Sequence, residues 1–189
     1  MTVASTVAAG GGLGLRRWIM NAQVPSEYAR CDVECHIDEI ASALGLEGPG
    51  VGMLTAVDVT RVSRAEDGGL SVAATVGLTL PTWAAAPDEP IAAPLGTINI
   101  VAFVPEPLTE AALLNSLCTA TEAKSQALFL AGVDGTGTAS DAVAVVCPTR
   151  GEYQAFGGPR SACGARLARA VHDAVSAGCN TSSAKTGGT

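Results

Sequence analysis

Aromatic, charged and histidine side chains are all scarce in this sequence, and each shortage excludes a class of protein. Aromatic residues make up 4% of the chain and charged residues 15%, and its two histidines are His36 and His172. Two histidines cannot form a three-histidine zinc site, and neither lies in a pattern that predicts a serine–histidine–aspartate triad. No apolar run reaches the ~18 residues that a membrane helix needs. An enzyme of this composition would use Lys, Glu, Asp, Thr, Ser or Cys for its chemistry.

Basic residues are also too few for a protein that binds nucleic acid or an anionic membrane. The chain has 11 Lys and Arg against 18 Asp and Glu, which gives a net charge of −7 and a pI of about 4.7. Because phosphate-rich partners need a basic surface, we expect neither nucleic acid nor a membrane as a partner. A neutral or cationic small molecule is compatible with this charge.

Six cysteines are scattered along the chain, without a recognisable secretion signal ahead of them. This distribution predicts reduced, mostly buried thiols in a cytoplasmic protein rather than a disulfide framework. Cys31, Cys35 and His36 form the one cluster that resembles a metal site, but their spacing matches no standard zinc pattern. We therefore expect neither a bound metal nor a cofactor.

Small aliphatic residues are abundant, and hydrophobic residues make up 48% of the 189 residues. This length and composition favour one compact domain. Residue patterns predict strands at 2–9, 17–20, 96–104 and 142–147, a hairpin within 51–80, and helices at 32–44, 109–131 and 160–177. The order predicts an α+β fold in which helices pack in layers against a mixed β-sheet. We expect a single domain at residues 1–179 and a disordered tail at 180–189.

Two stretches rich in glycine or proline predict loops. Residues 10–14 contain four glycines and would be flexible enough for close approach of a ligand. Residues 81–96 contain four prolines and show little periodicity, which predicts a long ordered surface loop of the kind that is often functional.

The predicted helix at 109–131 carries a lysine in its apolar stripe. Thr109 is a suitable capping residue, Gly132 a suitable stop, and Lys124 falls near the centre of the face that contains Leu113 and Leu128. An ammonium group in that position must snorkel, meet an anion or meet a ligand.

A loop rich in glycine and threonine follows this helix, from Gly132 to Asp141. It can present backbone N–H groups, three hydroxyls and two carboxylates within a short span, so it could hold an amide, a sugar hydroxyl or a phosphate. It is not a nucleotide-binding P-loop, because the GxxxxGK[ST] pattern is absent.

Five segments of the chain occur together in one known family. They read N-x-x-V-P-x-x-Y from Asn21, M-L-T-A-x-D-V from Met53, G-T-I-N-I from Gly96, T-E-A-K-x-Q-A-L from Thr121 and G-T-G-T-A-S-D-A from Gly135. In this order, over roughly residues 5 to 178, the chain resembles the adenosylcobinamide amidohydrolases of the CbiZ type. One such segment has little specificity, whereas five in register are specific.

The resemblance implies a role in the salvage of corrinoids for cobalamin biosynthesis. The implied reaction is hydrolysis of the amide that joins aminopropanol to the corrin ring of adenosylcobinamide, which gives adenosylcobyric acid and 1-amino-2-propanol. The bond is a linear, non-peptide amide, and the implied partner is a small-molecule corrinoid. A mainly neutral pocket rich in hydroxyls and amides would suit such a substrate.

The chemistry of the residue types then suggests roles in these segments. Lys124 or Glu122 would activate water or a hydroxyl; because they point apart on a helix, we expect at most one to touch the scissile amide. Thr138 or Ser140 would be the nucleophile, and Asp141 completes the set of catalytic candidates. Backbone N–H groups of the same loop would stabilise the oxyanion. We expect the substrate to be bound by Asn21, Thr55, Asn99, Thr121, Gly135, Thr136 and Gly137.

Two other functions stay open at the level of the sequence. The same pocket could belong to a non-catalytic corrinoid-binding or regulatory module, and a metal-dependent hydrolase is a third option. The sequence is also compatible with a homo-oligomer.

Overall fold

A computed structural model describes residues 1–87 and 96–183 of the chain. Within those ranges there are eight strands, three α-helices and a short 3₁₀ helix at Val59–Arg61. The helices are α1 (Val33–Ala43), α2 (Glu110–Leu130) and α3 (Ala162–Ser183). The strands are β1 (Thr2–Ser5), β2 (Gly12–Leu15), β3 (Trp18–Gln23), β4 (Gly50–Thr55), β5 (Ser63–Asp67), β6 (Leu70–Gly77), β7 (Thr97–Phe103) and β8 (Ala142–Cys147).

The strands form two sheets. Six of them make a mixed sheet in the order β2-β1-β8-β7-β6-β5, and β3 and β4 form a separate parallel pair. In the larger sheet β7 and β8 are parallel neighbours at the centre, while the other pairs are antiparallel. Every residue of β8 is buried, as its continuous apolar run predicts. The α+β class with a mixed sheet, predicted from the sequence, is confirmed.

The sheets and helices are stacked in four layers. α2 and α3 cover one face of the six-stranded sheet, and Leu113 and Leu167 lie in the core between them and the sheet. On the opposite face, Met53 of β4 packs with Val146 of β8. α1 then covers the outer face of the small sheet through Ile37. The small sheet is therefore sandwiched between α1 and the large sheet.

The predicted boundaries of the first two helices agree with the structure to within one residue. Thr109 caps α2, and its hydroxyl accepts a hydrogen bond from the backbone N–H of Ala112 at 3.2 Å. Gly45 and Gly132 follow α1 and α2 with φ angles of +68° and +73°, the left-handed conformation in which glycine commonly ends a helix.

The predicted hairpin is only partly present. β5 and β6 pair across Gly68 and Gly69, which both have positive φ, but residues 51–62 do not belong to the hairpin. Instead β4 pairs with β3, and the chain then turns through the 3₁₀ helix, where Asp58 Oδ1 accepts a hydrogen bond from the N–H of Thr60 at 2.9 Å. This local side-chain bond interrupts what the sequence suggests is one continuous strand.

Three other segments differ from prediction or lie partly outside the description. β2 begins at Gly12 and pairs with β1, so the predicted glycine loop is shorter than expected. α3 continues to Ser183, so residues 180–183, which were predicted to be disordered, belong to the helix. Residues 88–95 of the predicted loop at 81–96, and residues 184–189 of the tail, lie outside the described residues. No helix in the described part of the chain has the length and hydropathy to span a membrane.

Candidate active site

A cavity of about 890 Å³ is bordered by residues of both sheets. Its floor consists of polar residues at the end of β4, the start of β7 and the residues that enter β8: Thr55, Thr97, Asn99, Ser140 and Asp141. Its outer wall is formed by residues 25–30, which follow β3, together with Val33 and Ile37 of α1. The floor therefore gathers residues from three of the five segments on which the resemblance rests.

The carboxylate of Asp141 is surrounded by donors. Its Oδ1 accepts hydrogen bonds from the N–H of Ile98 at 3.0 Å and from the hydroxyl of Thr138 at 2.5 Å. Its Oδ2 accepts from the N–H of Thr138 at 3.1 Å and from the ammonium group of Lys124. Four donors occupy the four lone-pair sites of a carboxylate, so Asp141 is a firmly held anion rather than a free base.

Lys124 pairs with the carboxylate of Asp141 inside the protein. The side chains of Lys124 and Asp141 are 7% and 11% exposed, so they form a largely buried ion pair that joins α2 to the start of β8. Glu122 lies on the exposed side of α2, as the opposite directions of the two side chains predict. Thr121 is also exposed, and its hydroxyl donates to the carbonyl oxygen of Leu117 at 2.9 Å within the helix. The structure does not bring Glu122 or Thr121 to the cavity.

The backbone of the Gly-Thr loop is occupied by internal hydrogen bonds. The N–H groups of Gly135, Thr136 and Thr138 donate to Val133 O, Thr82 O and Asp141 Oδ2 respectively. These groups are therefore not available as the oxyanion donors that the sequence suggests. Gly135, Thr136 and Gly137 are also not among the described residues that line the cavity.

Gly137 is required by the close approach of the loop to the ion pair. A Cβ atom at this position would lie 2.5 Å from Lys124 Nζ and even closer to Asp141 Oδ2. Contacts of this kind with buried charged groups cannot be relieved cheaply. The glycine therefore has a steric role beneath the floor in place of the substrate contact predicted for it.

Two hydroxyl groups lie side by side in the floor. Thr97 Oγ1 and Ser140 Oγ are 2.6 Å apart, and Ser140 Oγ also donates to the carbonyl oxygen of Gly96 at 3.0 Å. When Ser140 uses its one hydrogen in this way, Thr97 must be the donor between the two hydroxyls. Thr138 Oγ1 also lies 2.8 Å from Gly96 O, but its one hydrogen is donated to Asp141, and its side chain is directed away from the cavity.

The carboxamide of Asn99 is fixed from behind. Its Nδ2 donates to Asn21 Oδ1 at 2.8 Å and to the carbonyl oxygen of Leu54 at 2.9 Å, and Asn21 Nδ2 donates to Thr75 Oγ1 at 3.1 Å. Because Leu54 O can only accept, the orientation of the Asn99 amide is determined. No described residue donates to Asn99 Oδ1, which leaves this acceptor for a molecule in the cavity.

The outer wall is braced against α1. Tyr28 O–H and His36 Nδ1 are 2.9 Å apart, and the two rings stack with a centroid distance of 5.4 Å. Arg30 donates to Asp32 at 2.7 Å and to Glu39 at 2.8 Å. Hydrogen bonds from Arg30 lower the pKa of Asp32 to about 2 and also lower the pKa of Glu39. Burial raises the pKa of the Tyr28 phenol.

The structure thus unites some of the candidates and separates others. Thr55, Asn99, Ser140 and Asp141 share the cavity, whereas Lys124, Thr138 and Asn21 support it from behind. Thr97 and Tyr28 also line the cavity, although neither was predicted to have a role. Both lie in segments that carry the family resemblance, so these segments could have been used to predict them as cavity residues.

A floor of hydroxyls, a carboxamide and an ion-paired carboxylate, beneath a largely apolar wall, has the chemistry of a pocket for a sizeable polar organic molecule. Residues 1–187 match the family model described as adenosylcobinamide amidohydrolase, CbiZ. The chain belongs to this family, and the resemblance inferred from the five segments is confirmed.

Curated relatives from two archaea support the assignment. The chain is 35% identical over 164 residues to the adenosylcobinamide amidohydrolase of Halobacterium salinarum, covering 82% of this chain and 70% of the relative. It is 34% identical over 139 residues to that of Methanosarcina mazei, covering 74% of this chain and 66% of the relative. The chain therefore spans about two thirds of the length of these relatives. No solved structure matches the chain.

Proposed function

We propose that this chain hydrolyses the linear amide that joins aminopropanol to the corrin ring of adenosylcobinamide. The products are adenosylcobyric acid and 1-amino-2-propanol, and the reaction belongs to corrinoid salvage. The observation that carries the proposal is the convergence of Thr55, Asn99, Ser140 and Asp141, from three family segments, on the floor of one cavity. The reaction is inferred from family membership, and the cavity is the site at which we place it.

Ser140 and Thr97 provide the hydroxyl groups that lie next to the reacting atoms. Ser140 lines the cavity, whereas the hydroxyl of Thr138 is engaged with Asp141 and Gly96 O. The partners of Ser140 Oγ are Thr97 Oγ1 and Gly96 O, and neither is a base that could take its proton. We therefore assign Ser140 and Thr97 the task of orienting the attacking water through their free lone pairs.

In this scheme the oxygen of water bonds to the amide carbon and the C–N bond breaks. One proton of that water passes to the departing amine, and the other remains with the new carboxyl group. Lys124 and Asp141 act as positioning residues. The ion pair holds the backbone next to Ser140, and the four hydrogen bonds to Asp141 keep that segment rigid. Glu122, exposed on the far side of α2, has no part in this scheme.

Asn99 and Thr55 bind the amide groups of the substrate. Asn99 Oδ1 is a pre-oriented acceptor for an amide N–H, because both hydrogens of its Nδ2 are already used. Thr55 Oγ1 accepts from the N–H of Val57 at 3.1 Å, and its own hydrogen is then a donor for a substrate carbonyl. An acceptor and a donor in the same cavity floor suit a carboxamide.

The test is a turnover assay with purified protein and adenosylcobinamide. Mass spectrometry should detect 1-amino-2-propanol and adenosylcobyric acid in equal amounts. Ser140→Ala should lower kcat by about 10²-fold or more, the scale of a lost contact to the reacting group. Ser42→Ala, at an exposed position of α1 that does not line the cavity, is the matched control and should stay near wild type. An ester of the corrinoid acyl group on Ser140, seen in the intact mass, would overturn the water mechanism.

The same assay separates the alternatives. Binding of the corrinoid without product would identify a non-catalytic binding or regulatory module. Loss of turnover with a chelator would identify a metal-dependent hydrolase. Among the residues that the structure describes, no three His, Cys, Asp or Glu side chains come together as metal ligands.

We also infer that the protein works in a reducing compartment such as the cytoplasm. All six cysteines lie in the described ranges and are free thiols, and three of them are exposed. Exposed free thiols fit a reducing environment better than an oxidising one.

A further inference from the structure

The outer wall of the cavity contains one aromatic ring. Tyr28 is half-buried and is the sole aromatic side chain among the described residues that line the cavity. The other outer-wall residues, none of which has an aromatic ring, are Pro25, Ser26, Glu27, Ala29, Arg30, Val33 and Ile37. Tyr28 is also part of the first family segment, although the scheme above gives it no task.

The ring of Tyr28 is held in a fixed orientation. His36 covers one of its faces, with an interplanar angle of 18°, and also makes the hydrogen bond to its phenol oxygen. Tyr28 lines the cavity, and His36 leaves the opposite face of its ring available for a ligand. A ring that is already immobilised loses little conformational entropy when a planar ligand stacks on it.

The charges around the ring select against a phosphate. Arg30 is the cation of the outer wall, and its guanidinium is shared between Asp32 and Glu39. Arg30 holds the pKa of both carboxyls low, so both are ionised at neutral pH, and Glu27 adds a further negative charge. The wall is therefore suited to an uncharged planar group and unsuited to a nucleotide.

We propose that Tyr28 is the stacking platform for the adenine of the adenosyl group, with His36 as the residue that positions it. This inference rests on the proposed function, because it takes adenosylcobinamide as the substrate. Tyr28 thereby makes the site selective for corrinoids that carry a purine nucleoside on cobalt. Purine bases stack on aromatic side chains irrespective of base-edge hydrogen bonds, so the ring itself is the determinant.

The experiment compares the Kd values of adenosylcobinamide and methylcobinamide, which share the corrin ring and its arm but differ in the nucleoside. Tyr28→Leu should weaken binding of adenosylcobinamide by about 5- to 100-fold, the range for loss of one base–aromatic stack. Binding of methylcobinamide should change by less than about 2-fold, because no stack is lost. Tyr28→Phe keeps the ring and should retain the preference of the wild type.

Matched controls keep the result decisive. Tyr153 is the other tyrosine of the chain and is exposed, so Tyr153→Leu should leave both Kd values unchanged. Equal weakening of both corrinoids by Tyr28→Leu would overturn the proposal in favour of packing against the corrin ring. A loss in Tyr28→Phe as large as that in Tyr28→Leu would overturn it in favour of a purely structural hydrogen bond to His36.

Binding is measured separately from turnover, so the two proposals can fail independently. A protein that binds adenosylcobinamide with the expected Tyr28 dependence but forms no product retains the platform and loses the amidohydrolase assignment. Turnover by the wild type, together with an equal effect of Tyr28→Leu on the Kd values of both corrinoids, retains the amidohydrolase assignment and removes the platform. Competition gives a second readout: adenosine should displace adenosylcobinamide better than AMP, and a stronger effect of AMP would contradict the charge argument.

Discussion

The side chain of Asn99 bonds to the side chain of Asn21 at 2.8 Å, and the contact joins the large sheet to the small one. Asn99 belongs to β7 and Asn21 to β3, which are members of different sheets. The contact therefore fixes the separation of the two sheets at the floor of the cavity, where Asn99 has its free acceptor.

Removing Asn21 should weaken both the fold and the site. Asn21→Ala takes away one partner of the nearly buried Asn99 amide, and we expect the free energy of unfolding to fall by about 1–3 kcal/mol. Urea unfolding followed by circular dichroism measures this change. Gln23→Ala, at an exposed position of the same strand, is the control and should stay within about 0.5 kcal/mol of wild type. Equal effects of the two substitutions would contradict the role given to the contact.

The ion pair of Lys124 and Asp141 should be strongly coupled. Lys124→Met leaves a largely buried carboxylate without its cation and should destabilise the protein by about 3–5 kcal/mol. Combining it with Asp141→Asn should recover part of that loss, and a double-mutant cycle in urea measures the coupling. We expect Lys124→Met to lower kcat as well, because the segment of Ser140 loses its anchor.

Glu122→Ala is the matched control for Lys124, since it changes a charged residue two positions away on the exposed side of α2. Its turnover and its urea midpoint should both resemble wild type. A loss of orders of magnitude in kcat for this variant, with the fold intact, would return Glu122 to the catalytic candidates.

Gly137→Ala should disrupt the site through steric contact alone. The added Cβ would collide with the Lys124 and Asp141 side chains, so the loop must move and Ser140 with it. Turnover should fall by at least about 10²-fold, as expected when reacting groups are displaced by about 1 Å. Gly14→Ala is the control, because its Cβ would meet only the flexible end of Arg16 and should be tolerated.

The outer wall should loosen in acid. Its Asp32 has a folded-state pKa of about 2 against an ordinary value of 3.8, so the ion pair with Arg30 stabilises the fold fully above about pH 4 and is lost as the pH falls toward 2. The difference in Tm between wild type and Asp32→Asn should be small but measurable near neutral pH and should vanish near pH 2. A difference that grows on acidification would contradict this assignment. Glu47→Gln, an exposed carboxyl change, serves as the control.

The cysteines should divide into two reactivity classes. Burial raises the pKa of Cys163 to about 11 and also raises the pKa of Cys147 and Cys179, so these thiols stay protonated and covered. The other three cysteines, Cys31, Cys35 and Cys118, are exposed. Iodoacetamide at mildly alkaline pH should therefore modify three cysteines in the native protein and all six in urea, as counted by mass spectrometry.

The sequence predicts most of the elements because their signals are local. The cap at Thr109, the stop at Gly132 and the apolar run of β8 each depend on a few neighbouring residues, and all three are found. The parallel pairing of β3 with β4 could not be predicted in this way, because it depends on packing between segments that are about 30 residues apart.

The candidate site was predictable in part for a similar reason. The lysine in the apolar stripe had to snorkel, meet an anion or meet a ligand, and the structure pairs it with the anion Asp141 at the end of the loop. The sequence could not indicate whether the backbone N–H groups of the loop point into the protein or toward the cavity. The N–H groups of Gly135 to Thr138 could serve either the protein or a ligand, and only the position of Thr82 and Asp141 decides for the protein.

The small sheet gives the molecule two separable parts. The ion pair, the hydroxyls of Thr97 and Ser140 and the carboxamide of Asn99 are anchored in or against the central strands of the large sheet. The outer wall is instead attached to β3 and α1. Substitutions in the wall can therefore alter which corrinoid fits without disturbing the groups that surround the scissile bond. A fold arranged in this way allows its substrate preference to diverge faster in evolution than its chemistry.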